Sequence, residues 1–247
     1  MKLRLDKLIV DRGLVPSRER AQALIIAGKI LVDEQKIEKP GAQVGSDSVV
    51  RLLGEDLRYV SRGGLKLEKA LEHWRIDVSA KTCIDVGAST GGFTDCMLQH
   101  GAARVIAIDT GRGQIAGKLR NDPRVTLLEQ TNARYLTREQ LPLKASVDLV
   151  AMDVAFISAT LVLPAVISAA SPCELLVLVK PQFEVGRERV GAGGIVRDEA
   201  DQAAAVQKLR AAVEELGGMS VEVIDSPITG VEGNREFLLH AMFPGKS

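Results

Sequence analysis

Three charged residues stand where apolar runs begin or end, and a fourth lies on the helix that introduces the same domain. Asp153 closes SVDLVAMD, Lys180 closes CELLVLVK, Glu236 opens REFLLHAMF, and Lys66 lies in SRGGLKLEKAL. A lysine that ends an apolar run is partly withdrawn from water and needs anionic partners. Desolvation or a second lysine lowers its pKa toward a range in which it accepts a proton, whereas nearby carboxylates raise it. Taken singly, each of these residues reads as part of a structural ion pair. Gathered by a fold, two lysines and two acids make a proton-transfer site.

A second constellation lies in DVGASTGG, residues 85–92. Gly87 and Gly91 let the chain turn tightly and approach a ligand, with Ala88 and Ser89 between them. Asp85 supplies a carboxylate at a strand end, and Asp109 ends the next strand 24 residues later. An acid placed so can accept both hydroxyls of a ribose. The loop is neither G-x-G-x-x-G nor a phosphate loop, because no GK[ST] follows. These features suit the cationic sulfonium of S-adenosylmethionine; the alternative is a turn with two capping acids.

The elements that must position these residues can be read from Lys81 onward, where strands and helices alternate. TCIDVGA, ARVIAID, RVTLLEQ, SVDLVAMDV and CELLVLVK read as strands. STGGFTDCMLQHG turns into a helix closed near Gly101, and Glu199 to Leu216 forms an amphipathic helix capped by Asp198. MSVEVIDS and REFLLHAMF follow as two strands joined by a short connection, Pro227 to Gly233, which predicts a hairpin. The pattern predicts an α/β fold with a mostly parallel sheet and helices on both faces. In such sheets ligands bind outside the carboxyl ends of the strands, where Asp85, Asp109, Asp153 and Lys180 stand.

The charge balance divides the chain. Lys and Arg number 32, as do Asp and Glu, so the net charge is zero and a uniformly basic nucleic-acid coat protein is excluded. Between Lys2 and Lys29, however, Lys2, Arg4, Lys7, Arg12, Arg18, Arg20 and Lys29 face only Asp6, Asp11 and Glu19. Such a patch attracts phosphate, or else is a solvated helix face. Leu5, Leu8 and Ile9 keep helical spacing up to Gly13. Ser17 caps a second helix with an apolar face of Ala21, Leu24 and Ile25, ending at Gly28. KILVD and VVRLL read as strands, giving a small α+β module. Arg18 and Arg20 are two apart and cannot share a helix face, so at most one joins Arg4 and Lys7 on a single surface.

The run RLDKLIVDRGLVPSRERAQALIIAGKILVD, with KPGAQV after it, resembles the S4 RNA-binding domain. Glu34 stands where that family usually has glycine in a hairpin turn. The resemblance implies binding of structured RNA by shape and phosphate contacts. VSRGGLKL, DVGASTGGFTD, MDVAFIS, LVKPQFEVG and GNREFLL, in this order, resemble FtsJ-like RNA ribose 2′-O-methyltransferases. The whole chain is similar to the TlyA (hemolysin A) family of bacterial rRNA cytidine 2′-O-methyltransferases. Members often have serine where Ala155 stands. The resemblance implies a Rossmann-like class I S-adenosylmethionine-dependent methyltransferase sheet with an antiparallel last strand. It implies Lys66, Asp153, Lys180 and Glu236 as a catalytic tetrad. Asp85, Gly87, Ala88, Ser89, Gly91 and Asp109 become the cofactor pocket, and Asn132, in EQTNAR, a candidate for the adenine edge. Arg4, Lys7, Arg18, Arg20 and Arg62 are the candidate RNA contacts, and ribosomal RNA within ribosomal subunits is the implied partner. No obligate protein partner and no metal are expected.

In this chemistry Lys180 is the base for a ribose hydroxyl, Asp153 and Glu236 orient the lysines, and Lys66 steers the ribose or its phosphate. The turn after the fourth strand reads DVAF rather than [DN]PP[YF], which favours an oxygen acceptor over an exocyclic amine. Competing readings are a membrane-active cytolysin and an RNA-binding assembly factor with a vestigial pocket. The longest apolar run, Leu161 to Ala170, is too short to span a bilayer, and Asp6 and Asp11 interrupt any signal-peptide core. Cys83, Cys96 and Cys173 have no metal-ligand spacing, and a reducing cytoplasm is the expected compartment. The expected division is an RNA-binding domain over 1–57, a linker over 58–64 and a methyltransferase domain over 65–247. Arg58 and Tyr59 either relay RNA engagement or belong to a plain linker. EVGRERVGAGGIVRDE is expected as a mobile substrate loop, whose deletion weakens RNA methylation and spares cofactor binding.

Overall fold

The computed structural model describes residues 2–15, 17–53, 58–142, 147–172, 174–230 and 232–243. The chain forms two compact units, Met1–Leu57 and Arg58–Ser247.

In the first unit, β1 (Lys2–Arg4) leads directly into α1 (Leu5–Asp11), which buries Leu5, Leu8 and Ile9. Ser17 caps α2 (Arg18–Ile26): its hydroxyl accepts the Arg20 amide at 3.2 Å, and Ala21, Leu24 and Ile25 turn inward as their spacing requires. The strands β2 (Ile30–Val32), β3 (Gln35–Lys36), β4 (Gln43–Gly45) and β5 (Val50–Leu52) complete the unit. They form an antiparallel β3-β2-β5 sheet and a separate β1-β4 pair. Between β2 and β3, Asp33 and Glu34 both take positive φ, 50° and 63°. That is the backbone of a type I′ hairpin turn, so Glu34 occupies a position that favours glycine. The Asp33 carboxylate accepts the Val49 amide at 2.8 Å and fastens this turn to the strand beside it.

The second unit opens with α3 (Gly63–Trp74). Next come β6 (Thr82–Val86), α4 (Gly92–Gln99), β7 (Arg104–Ile108), α5 (Gly117–Arg120) and β8 (Val125–Leu128). The chain continues through β9 (Leu149–Met152), α6 (Leu163–Ala170), β10 (Glu174–Val179), α7 (Pro181–Glu184), α8 (Glu199–Glu215), β11 (Met219–Asp225) and β12 (Phe237–Met242). Seven strands lie in the order β11-β12-β10-β9-β6-β7-β8. β6 to β10 pair in parallel, and β12 runs antiparallel to both β10 and β11. The hairpin and the antiparallel last strand match the sequence reading.

Alternation along each strand divides the core between two faces. Ile84, Val86, Ile106, Val150, Met152 and Val177 pack with Val166, Leu209 and Val213 of α6 and α8. Cys83, Val105, Leu149, Leu176 and Leu178 pack with Leu67, Leu71, Cys96 and Met97 of α3 and α4. With both faces covered, the strands read as unbroken apolar runs.

The segment expected as a linker is folded into the second unit. Tyr59 is buried, its hydroxyl donates to Glu68 at 2.9 Å, and Arg58 pairs with the same carboxylate. Gly64 has no room for a side chain because Tyr59 packs on it. Leu57 lies outside the described residues, as does Cys173; Cys83 and Cys96 are buried thiols. Among the described residues no helix is long and apolar enough to cross a membrane.

Candidate active site

The strand order reverses at β6, whose neighbours are β7 on one side and β9 on the other. Here the sheet opens outside the strands' carboxyl ends, and the register fixes what stands there. Val86 pairs with Met152, Met152 with Val177, and Val179 with Phe237. Asp153 and Lys180, each one residue beyond its strand, and Glu236, one residue before the antiparallel β12, therefore meet on the same rim. Lys66, in the first turns of α3, completes the group.

Two ion pairs result. Lys66 Nζ contacts Glu236 Oε2, and both side chains are buried. Lys180 Nζ lies 2.5 Å from Asp153 Oδ1, with side-chain exposures of 14% and 22%. This ammonium sits close without hydrogen-bond alignment, leaving Asp153 Oδ1 a buried acceptor with no hydrogen bond. All four residues line a cavity of about 490 Å³ that the glycine loop also borders.

The loop's geometry explains its residues. Gly87 has φ 87° and Ser89 φ 49°. The Ser89 amide donates to Asp109 Oδ2 at 2.8 Å and the Gly111 amide to Asp109 Oδ1 at 2.6 Å, which ties the loop to the end of β7. Asp109 and Asn132 line an adjoining cavity of about 260 Å³ together with Gly87 and Ser89. Asn132 also caps a short turn by accepting the Arg134 amide at 3.1 Å. Gly91 introduces α4 at φ 96°.

Asp85 is fully buried. Its Oδ2 accepts the Thr94 amide at 2.8 Å and the Thr94 hydroxyl at 2.6 Å, while Oδ1 has no partner. Burial pushes its carboxyl up to about 7, partly offset by Thr94, with the Asp153 charge a further push. Two orphaned acceptors, Asp85 Oδ1 and Gln182 Oε1, thus belong to residues of one cavity. Such a set calls for a ligand rich in hydrogen-bond donors or carrying positive charge.

Sequence reasoning missed several supporting residues. Asn234, buried two residues before Glu236, accepts the Val196 amide at 3.0 Å and donates to the Gly194 carbonyl at 2.8 Å. Gln202 adds a hydrogen bond to the Val196 carbonyl at 2.9 Å. The glycine- and arginine-rich segment expected to be mobile is anchored at this end; it forms two short turns and a Gly191–Ile195 bridge. Glu184, also buried, accepts from Ser158 and from the Ala159 amide and pairs with Lys208 at 3.2 Å, holding the chain beyond Asp153 against α7 and α8. Phe156 lies on the cavity wall, 93% exposed at φ 65°, its ring 5.5 Å from that of Phe183. Its one signal in the sequence is a phenylalanine just past the strand end in MDVAFIS, in a chain of which aromatics make up only 3%.

The candidate RNA contacts fall in both units. Arg4 and Arg18 converge on the buried Asp6, Lys7 is exposed, and Arg20 is half-buried behind the Ser17 cap. Arg62, in the second unit, is exposed and borders the cavity.

Comparison with known proteins agrees with this geometry. Residues 59–243 match the FtsJ-like methyltransferase family and residues 3–50 the S4 domain. The chain is 46% identical to the 16S/23S rRNA (cytidine-2′-O)-methyltransferase TlyA of Mycobacterium tuberculosis, over 96% of this chain and 89% of that protein. It is 38% identical to hemolysin A of Brachyspira hyodysenteriae, over 96% and 99%. A solved structure from Streptococcus thermophilus, named as a hemolysin, superposes with a TM-score of 0.75 at 42% identity, covering 98% of this chain and 88% of that one. An S-adenosylmethionine-dependent methyltransferase from Listeria monocytogenes shares the fold of the second unit, at 15% identity and a TM-score of 0.53, over 74% of this chain and all of that one. With a switch-point cavity walled by two lysine–carboxylate pairs and an S4 module ahead of it in the sequence, the chain belongs to the TlyA (hemolysin A) family of FtsJ-like methyltransferases.

Proposed function

We propose that this protein methylates the ribose 2′-hydroxyl of a cytidine in ribosomal RNA, within ribosomal subunits in the cytoplasm, using S-adenosylmethionine. The observation that carries this reading is the pairing of Lys180 with Asp153 at 2.5 Å on adjacent strand ends, beside the glycine loop. The cofactor's residues fit. Asp85 offers a buried, unpartnered oxygen to a cationic group, the Asp109 carboxylate at the end of β7 would accept ribose hydroxyls, and Gly87 lets the loop pass close against the Asp153 backbone. S-adenosylmethionine supplies, when bound, an electrophilic methyl carbon on a sulfonium.

The chain's own residues do the rest. A ribose hydroxyl attacks well only as its proton leaves, and Lys180 Nζ in its neutral form accepts that proton. Asp153 holds Lys180 in place and stabilises the ammonium that results. Glu236 fixes Lys66, whose charge steers the ribose or its phosphate. Placing the nucleophile in line with the methyl carbon supplies much of the rate. Phe156 and Phe183 offer an aromatic surface on which an unstacked base can lie. The choice of cytidine in ribosomal RNA is supported by the activity named for the Mycobacterium tuberculosis relative.

The test is transfer of labelled methyl groups to unmodified ribosomal subunits. Wild type should label a cytidine ribose and Lys180→Ala should not. Equal labelling by both would refute the base, and no labelling of ribosomal RNA by the wild type would refute the function.

A further inference from the structure

Glu184 closes α7, the short helix that leaves Lys180. Its side chain is 3% exposed, and both carboxylate oxygens are engaged. Oε1 accepts the Ala159 amide at 2.7 Å. Oε2 accepts the Ser158 hydroxyl and lies 3.2 Å from Lys208 Nζ. Lys208, on α8, also donates to the Glu184 carbonyl at 2.8 Å and to the Ser158 hydroxyl at 3.3 Å. The one hydrogen of the Ser158 hydroxyl goes to Glu184, so this hydroxyl accepts from Thr160 at 2.7 Å.

Ser158 stands five residues beyond Asp153, and Glu184 four beyond Lys180. The carboxylate therefore closes a ring of chain. The ring runs from β9 through Asp153 to Ser158, across to Glu184, and back through α7 and Lys180 to β10, which pairs with β9. Phe156 and Phe183 stand on its two arms, their rings 5.5 Å apart. The arm beyond Asp153 forms neither helix nor strand, and Phe156 within it takes φ 65°. A bulky residue keeps such a conformation only where its surroundings fix it. Upstream, the Asp153 amide donates to the Val86 carbonyl at 2.8 Å; downstream, Glu184 holds Ser158 and Ala159. A buried ion pair adds little stability over apolar packing of the same volume, so what Glu184 adds is a fixed arrangement.

We propose that Glu184 is a positioning residue for methyl transfer. Its carboxylate clasps the arm that leaves Asp153 to the arm that leaves Lys180, and so fixes the base, its acid and both phenylalanines around the cavity. The inference rests on the methyl-transfer reading of that cavity. Glu184 does not line the cavity, so it acts through the residues it holds.

The experiment compares wild type, Glu184→Gln, Ser158→Ala, the double variant and Val213→Ala, each as the full chain. Val213 is a buried apolar residue of α8 that lines no part of the cavity, and its variant reports destabilisation alone. Methyl transfer to unmodified ribosomal subunits is measured as kcat and KM, well below each melting temperature. Hydrogen exchange is followed in the ligand-free chain. Glu184→Gln keeps the shape and an acceptor for the Ala159 amide but loses the charge beside Lys208. It should lower kcat about tenfold while KM for subunits and S-adenosylmethionine affinity stay within about twofold, because the arms align bound substrate rather than hold it. Ser158→Ala should lower kcat about threefold, and the double variant no further than Glu184→Gln, since both open one clasp. In Glu184→Gln, exchange should quicken over 154–161 and 182–184 together, with β9 and β10 as protected as in wild type. Val213→Ala should lower the melting temperature and leave kcat nearly unchanged.

Unchanged kcat in a folded Glu184→Gln would overturn the proposal. So would an equal loss of kcat in Val213→Ala, a loss confined to KM or cofactor affinity, or exchange that quickens in β9 and β10 as much as in the arms. If Glu184→Gln does not fold, Ser158→Ala decides, because it leaves Glu184 bonded to Ala159 and Lys208; unchanged kcat and unchanged exchange there would overturn the clasp. If the wild type transfers no methyl group to ribosomal RNA, the function reading fails instead, and the exchange pattern still decides whether Glu184 holds the two arms.

Discussion

Gly87 and Asp153 touch through their main chains: a β-carbon on Gly87 would lie 2.3 Å from the Asp153 carbonyl oxygen. The glycine loop and the rim that carries Asp153 and Lys180 are thereby held at a fixed spacing across the β6–β9 junction. Alanine at this position would meet backbone, which cannot swing aside as a side chain can, and would also hold an unfavourable φ of 87°. Gly87→Ala should therefore lose S-adenosylmethionine binding at least tenfold and lower stability by about 1–3 kcal/mol. Calorimetric titration and a denaturant melt check both.

The buried Asp85 should make stability depend on pH and, if it faces the cofactor as proposed, cofactor binding depend on pH in the opposite sense. Its carboxyl is raised from the usual 3.8 to about 7, first by burial. Between these values the folded state holds a proton that the unfolded state has released. The ligand-free chain should lose stability as pH rises from about 4 through about 7, and Asp85→Asn should flatten that slope. A cationic ligand favours the ionised form, so cofactor affinity should rise with pH up to about 7, with proton release on binding. Titration in buffers of different ionisation enthalpy measures the release; its absence would separate Asp85 from the cofactor.

Lys66 and Glu236 are both buried, at 8% and 3% exposure, and each is the other's charged partner. Removing one charge strands the other, which costs about 3–5 kcal/mol for a buried pair. Glu236→Gln and Lys66→Met should each be strongly destabilised in thermal melts. The double variant should recover part of that loss while remaining inactive. Additive destabilisation would mean that the pair is not energetically coupled.

What the sequence disclosed and what it hid follow from the range of the interactions. Strand ends at Asp85, Asp109, Asp153 and Lys180 could be read because long apolar runs stop there. Ser17 and Asp198 could be read as caps because capping is local. The β1, β3 and β4 strands escaped notice, since two or three residues carry no periodicity. Tyr59 reads as linker because its burial depends on Gly64 and Glu68 of the following helix. The grip of Asn234 on Gly194 and Val196 spans about forty residues of sequence, so the segment passed for a mobile loop. The tetrad needed both the apolar runs and the resemblance, since ion pairing between residues 170 positions apart leaves no local trace.

Phe156 separates function from stability most cleanly. Its side chain is 93% exposed, so it contributes little apolar burial, and its φ of 65° is unfavourable for a bulky residue. Apart from its ring contact with Phe183, this conformation gains little burial for its backbone cost, which fits the proposed base-stacking surface on the cavity wall. Phe156→Gly should leave the melting temperature unchanged or raise it by a degree or so, because glycine relieves the backbone. Methyl transfer to ribosomal subunits should nevertheless fall at least tenfold, since aromatic stacking contributes about 1–3 kcal/mol per base. Affinity for S-adenosylmethionine should stay within about twofold of wild type. Phe156→Trp should retain transfer, and full activity in the glycine variant would remove the aromatic surface from the mechanism.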